Sequence, residues 1–146
     1  MIIIPCFLLQ SNNDAPTKNA ESCKHKKFVK IMGLLDHIDS QFDMFKHHPE
    51  VETFLDGKIL AVDGKCRGQG IAGKLTDKTI EYMQNHNIKV FHVLCTSHFS
   101  ARVLEKMNFE EVYRLPYAEY TVDGEIVLAP KPPHVAARIF KKIVTK

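Results

Sequence analysis

Apolar residues recur along this chain with two different periods, and the change from one to the other divides it into helices and strands. From Lys26 to Lys46 they fall at Phe28, Ile31, Leu35, Ile38, Phe42 and Phe45. Steps of three and four predict an amphipathic helix that stops before Pro49, with Lys27, Lys30, Asp36 and Asp43 on its solvated face. A second helix is predicted from Ile71 to about Asn85, with Ile71, Leu75, Thr79 and Met83 on one side. A third runs from Phe99 to Met107, and Asn108 is placed to take the left-handed position after its end. Between them, Lys58–Asp63 reads as a strand. The nearly unbroken apolar run from Ile88 to Cys95 reads as a strand covered on both faces of a parallel sheet. Glu111–Leu115 and Val135–Ile143 are expected to be the last two strands, separated by turns at Asp123-Gly124 and Pro130–Pro133. The second of these also fits a helix, because Val135, Ile139, Phe140 and Ile143 are spaced for one. At the front, Ile2–Leu9 is apolar but too short to span a bilayer, lacks a basic leader and reads as a strand. Gln10–Ser22 reads as a polar loop.

Composition narrows the class without choosing a function. The 146 residues are 45% hydrophobic and 25% charged, which fits one soluble α/β or α+β domain with a single core. A formal charge of +3 and the lack of a basic stripe interleaved with aromatics argue against nucleic acid. That charge is compatible with an anionic small molecule. The four cysteines, Cys6, Cys23, Cys66 and Cys95, are far apart and form no C-x-x-C pair. Zinc and a disulfide framework are therefore not expected, and buried or inert thiols in a cytoplasmic setting are.

The chemistry begins at Arg67-Gly68-Gln69-Gly70-Ile71-Ala72-Gly73, where the strand Lys58–Asp63 gives way to the second helix. Small residues there leave backbone N–H groups and the positive end of a helix dipole open to phosphate. Gly68, Gly70 and Gly73 have the spacing of a dinucleotide fingerprint. That reading requires an acidic residue at the end of the next strand, but Cys95-Thr96-Ser97 stands there. Too few residues follow Gly73 for the further βα units of such a fold.

The same loop, read as Arg67-x-x-Gly70-x-Ala72 after Leu60-Ala61-Val62-Asp63, resembles motif A of the GNAT acetyltransferases. Ser100–Phe109 resembles their motif B helix. More narrowly, Leu94–Val103 and Pro132-Pro133-His134 are similar to the insect arylalkylamine (dopamine) N-acetyltransferases. The resemblance implies the GNAT acyl-CoA N-acyltransferase fold, a central mixed sheet flanked by helices. It implies acetyl transfer from acetyl-CoA, as co-substrate and without a metal, to the primary amine of dopamine, tyramine, octopamine or serotonin. The N–H groups of Gly68, Gln69, Gly70, Ile71, Ala72 and Gly73 would cradle the pyrophosphate, with charge added by Arg67. Leu60, Ala61 and Val62 would bond the pantetheine arm along a splayed strand edge. Ser97 belongs with the cofactor, and Lys106 is a candidate for the adenosine phosphate. A solvated helix lysine is the plainer reading of Lys106.

Amine acetylation moves protons at both ends and passes through an oxyanion. Thr96 and Ser100, four apart at a strand-to-helix junction, are the hydroxyls that the resemblance implicates in catalysis. An N-cap is the alternative role for Thr96. Leu104 stands near the place where many other GNAT enzymes carry a tyrosine acid. His98 lies beside the two hydroxyls, His92 reads as a core histidine, and His134 is a candidate for the amine pocket.

Relatives in this family also carry an N-terminal part, with strands, two helices and a glutamate proposed as base, that matches nothing here. A truncated form, an isoform or a gene-model fragment is expected, with one partial domain over residues 1–146. An uncovered edge at Lys58–Asp63 would promote association of an otherwise monomeric chain, unless Ile2–Leu9 pairs there as an edge strand. Two other functions stay open: a non-catalytic acetyl-CoA-binding remnant, and a GNAT acting on other amines or protein lysines.

Overall fold

The computed structural model describes residues 3–12 and 24–145, residues 3–6 by their backbone. The elements follow in the order β1 (Ile3–Ser11), α1 (Lys26–Gln41), α2 (Met44–His47), β2 (Thr53–Val62), α3 (Ile71–Asn85), β3 (Val90–Cys95), α4 (His98–Lys106), β4 (Glu110–Pro116), β5 (Thr121–Val122), β6 (Glu125–Ile126) and β7 (Ala136–Ile143). The main sheet has the order β1-β2-β3-β7-β4. β2 and β3 run parallel, and every other pairing in that sheet is antiparallel. The sheet is therefore mixed, as expected.

Alternation along the strands sends side chains to opposite faces and builds a core on each. Phe54, Val90 and Ile139 pack with Leu34 and Ile38 of α1. Their neighbours Leu55, Phe91 and Phe140 pack with Met83 of α3 and Ala101 and Leu104 of α4. Covered on both sides, β3 is apolar throughout except at His92.

Several boundaries differ from those expected. The first helix stops at Gln41, where Phe42 turns extended and buries its ring. Asp43, assigned above to a solvated face, caps a new short helix instead. Its carboxylate accepts from the Phe45 amide at 3.0 Å and the Lys46 amide at 3.4 Å. The buried stripe of α1 runs through Leu34 and Ile38, one residue round from the stripe through Leu35, so Phe28 (46%) and Ile31 (43%) lie exposed. β2 begins five residues before Lys58, and its first half is its buried half. Gln10 and Ser11 belong to β1, not to a loop, and the rest of the predicted loop from Asn13 lies outside the described residues.

Val135–Ile143 resolves as strand β7, which sits between β3 and β4 and buries both faces. The Asp123-Gly124 turn holds both residues at positive φ (53° and 81°) and closes the β5–β6 hairpin. Asn108, at φ 57°, ends α4 as expected. The apolar front segment pairs along all of β2, from Ile3 opposite Val62 to Ser11 opposite Thr53. That edge of Lys58–Val62 is covered.

Candidate functional site

The other edge of β2 is open. β2 and β3 pair at Leu55–Phe91, Asp56–His92 and Gly57–Val93, and there the ladder ends. Lys58–Val62 then runs on with β1 on one side and, among the described residues, no partner strand on the other. A β-carbon on Gly57 would lie 3.1 Å from the Val93 methyl and 3.2 Å from the Phe91 ring, so the last closed rung is a tight one. The gap opens just beyond it.

At its far end the gap meets the glycine loop. A 3-10 turn at Gly64–Cys66 is held by Asp63, whose carboxylate accepts from the Lys65 amide at 2.9 Å. Gly68 (φ 79°) and Gly70 (φ 71°) follow in left-handed conformations that L side chains rarely adopt, with open space where a β-carbon would stand. Gly70 begins α3 without any side-chain cap, and no acidic residue occupies the first turn. Among the described residues, the first amides of this 15-residue helix, those of Ile71, Ala72 and Gly73 among them, thus have no side-chain acceptor from the cap or the first turn. This donor set fits a phosphate. Arg67 donates Nε–H to the Val62 carbonyl at 3.3 Å and is otherwise exposed. Gly73 faces Met107 of the turn after α4, with 4.0 Å from its virtual β-carbon to the sulfur. That contact brings the end of α4, where Lys106 lies exposed, beside the start of α3.

The β3–α4 junction carries the predicted hydroxyls. The N-cap is Ser97, whose Oγ accepts from the Phe99 amide at 3.2 Å, and not Thr96. The Thr96 side chain is exposed, while its carbonyl accepts the Tyr117 hydroxyl at 2.7 Å. Burial and the neighbouring Cys95 raise the Tyr117 phenol above its usual pKa. Ser100 donates to the Ser97 carbonyl at 2.9 Å. It also hydrogen-bonds the Cys95 thiol, which burial pushes up to about 11 despite that bond and the nearby Arg138 charge. Cys95 is thus the inert thiol expected, whereas Cys66 is half-buried in the loop. Leu104 is buried in the core. His134 Nδ1 accepts from the His98 amide at 3.2 Å, and its ring meets Phe99 edge-on at 5.5 Å. His98 also lines a hollow of about 280 Å³ with Arg102, Arg114 and Arg138. Arg138 there is held by Glu105 and Glu111.

One group escaped the sequence reading. Asp56 is buried beside His92, with Oδ1 3.0 Å from Nδ1 and Oδ2 2.5 Å from the Lys58 ammonium. Burial pushes the Asp56 carboxyl up, but the His92 hydrogen bond and the charges of His92 and Lys58 outweigh it and hold it below its ordinary value. Asp39 of α1 moves the other way, raised by desolvation and by Asp56 against the opposing pull of Lys58. A charged residue inside the apolar start of β2 was the available signal. Its partner lies 36 residues away, beyond the reach of any local pattern.

Among the described residues, no group of three or more His, Cys, Asp or Glu side chains is arranged to hold a metal. No helix among them is long and apolar enough to cross a membrane.

The chain as a whole is similar to known proteins. Residues 39–109, from the end of α1 to the turn after α4, match the Acetyltransferase (GNAT) family model. Arylalkylamine N-acetyltransferase 2 from Aedes aegypti is 26% identical, with a TM-score of 0.90 over 98% of this chain and 68% of that one. The polyamine N-acetyltransferase of Drosophila melanogaster, which catalyses formation of N-acetylagmatine, is 25% identical, with a TM-score of 0.75 over 85% of this chain and 59% of that one. A mosquito arylalkylamine N-acetyltransferase-like protein, 5b, shares the fold at 23% identity and a TM-score of 0.83, over 97% and 68% of the two chains.

Proposed function

We propose that this GNAT acetyltransferase moves the acetyl group of acetyl-CoA onto the primary amine of a small arylalkylamine such as tyramine, dopamine or serotonin. The observation that carries the reading is the gap between β2 and β3, closed at Gly57–Val93 and ending at uncapped amides around Gly70. An extended, amide-bearing arm with phosphates at one end and a thioester at the other suits such a slot. The phosphates lie on the amides from Gly68 to Gly73 near Arg67, and Leu60, Ala61 and Val62 bond the pantetheine through their free edge. Lys106, near the start of α3, takes the adenosine phosphate, and Ser97 lies against the cofactor as it caps α4.

At the reacting end, Thr96 presents an exposed hydroxyl, and Ser100 supplies a second beside Cys95. Donors of this kind stabilise the oxyanion and return a proton to the leaving thiolate. His134, with the Phe99 ring, edges the amine pocket. The enzyme acts as a cytoplasmic monomer. The likeness to the Aedes aegypti enzyme favours an aromatic amine. A guanidino or polyamine substrate is the second reading, favoured by the Drosophila likeness and by the acidic Asp39 on the α1 face.

Thiol release from acetyl-CoA in the presence of tyramine, serotonin, agmatine and a lysine peptide decides among these, with direct acetyl-CoA binding measured alongside. Turnover with tyramine or serotonin above the other two is expected. Binding without turnover of any amine makes the chain an acetyl-CoA-binding protein only, and loss of both overturns the reading.

A further inference from the structure

Asp56 and His92 stand opposite each other in β2 and β3, one rung inside the closed end of the gap. Side chains opposed in this way share a face of the sheet, here the face covered by α1, where the His92 ring meets Phe42 and Phe54. Held below its ordinary pKa, Asp56 is a carboxylate at neutral pH and can only accept, so the Nδ1 nitrogen it contacts carries the hydrogen. With its hydrogen at Nδ1, an unprotonated imidazole ring has its lone pair at Nε2. Among the described residues no side-chain nitrogen or oxygen is both buried and unpartnered, and Nε2 makes no hydrogen bond. His92 is 7% exposed as a whole residue, so Nε2 keeps at most a narrow opening.

The unpaired run Lys58–Val62 spans about 16 Å at roughly 3.3 Å per residue. An acyl chain whose phosphates rest on the glycine loop thus points its thioester back towards this rung. Resting on the acetyltransferase reading above, we propose that His92 is the base that deprotonates the incoming ammonium, with Asp56 as its positioning residue. Nε2 takes one proton from R–NH3⁺, and the freed nitrogen pair forms a C–N bond to the acetyl carbon. The C–S bond then breaks, a hydroxyl of Thr96 or Ser100 gives its proton to the departing thiolate and takes the second nitrogen proton in its place, and His92 gives its proton to solvent. Ammonium and thioester become amide, thiol and one proton.

The charged surroundings are mixed. Asp39 approaches from α1, and Asp56 and Lys58 come from β2. His47 of α2 stacks on the far side of Phe42. Lys141 of β7 lies beside His92 in register, itself engaged by His48 at 3.1 Å and Glu110 at 3.4 Å.

The test compares His92→Gln and Asp56→Asn with the native protein, using the amine that native protein acetylates best. His92→Gln is expected to keep acetyl-CoA affinity, lose about 100-fold or more in kcat/KM, and lose the acidic limb of the pH profile. Asp56→Asn should lose less and move that limb. Native turnover together with an unchanged rate and profile in His92→Gln overturns the base assignment alone. Acetyl-CoA binding without native turnover overturns the acetyltransferase reading, and this one with it. If His92→Gln folds poorly, the ¹⁵N signals of the native His92 ring decide. They should titrate with the acidic limb, and a ring whose titration is unrelated to that limb sinks the proposal.

Discussion

Gly70 shows how little at the residue scale the site depends on. It has no side chain, yet its φ of 71° sets the direction in which the first amides of α3 point. A valine there meets no protein atom, but it must adopt a backbone region that β-branched residues strongly avoid, and its methyls fill the open space over the loop. Gly70→Val is expected to weaken acetyl-CoA binding at least about tenfold, or 1.4 kcal/mol, with the far-ultraviolet circular dichroism unchanged. Full affinity in a folded variant would remove the loop from the phosphate site. This residue was legible in the sequence because a turn needing positive φ leaves a glycine signature. Asp56 was not, because what gives it meaning is a strand register, and registers join residues that are remote in the chain.

Elements were legible where a single period ran uninterrupted. α3 has the predicted ends, Ile71 and Asn85, because Gly70 and the His86-Asn87 turn bound one steady amphipathic pattern. The first helix misled because its spacing continues through Phe42 and Phe45 although its hydrogen bonds do not. Asp43 there captures two amides and starts a new turn, a competition between side chain and backbone that apolar periodicity ignores. Asp43→Ala should therefore destabilise the fold by about 1 kcal/mol, read as a lower urea midpoint at constant slope. An unchanged midpoint would mean that water caps α2 equally well. β7 illustrates the opposite ambiguity. Its short apolar run fits both periods, and its place between β3 and β4 selects the strand.

For the whole molecule, the fold class could be read from the alternation of patterns, whereas the sheet order could not. Nothing local states that the last strand inserts between two earlier ones, since that outcome depends on which faces remain to be covered. Acid stability is likewise a property of the assembled sheet. Asp56, Glu105 and Glu111 are all held below their ordinary values by His92, Arg138 and Arg114. A carboxyl with a lowered folded pKa stabilises fully above its unfolded value and loses that contribution as the pH falls through the folded one. Asp39, raised, runs in the opposite sense and relieves the fold as it protonates. Glu50 is lowered as well, by its hydrogen bond with His48, and with these four depressed carboxyls against one raised, the urea midpoint should hold from pH 7 to about 5 and fall below about 4. A midpoint that rises in acid would show that Asp39 dominates.

β2 is bonded to β1 along its whole length but to β3 over only three residues. Its outer half is therefore a strand held by one hand. A ligand that lays amides along the free edge fastens the other, and by mass action adds about 2.7 kcal/mol to folding at a hundredfold excess over Kd. How long such a molecule survives proteolysis would then follow the supply of its acyl donor, making abundance as well as turnover a readout of metabolic state.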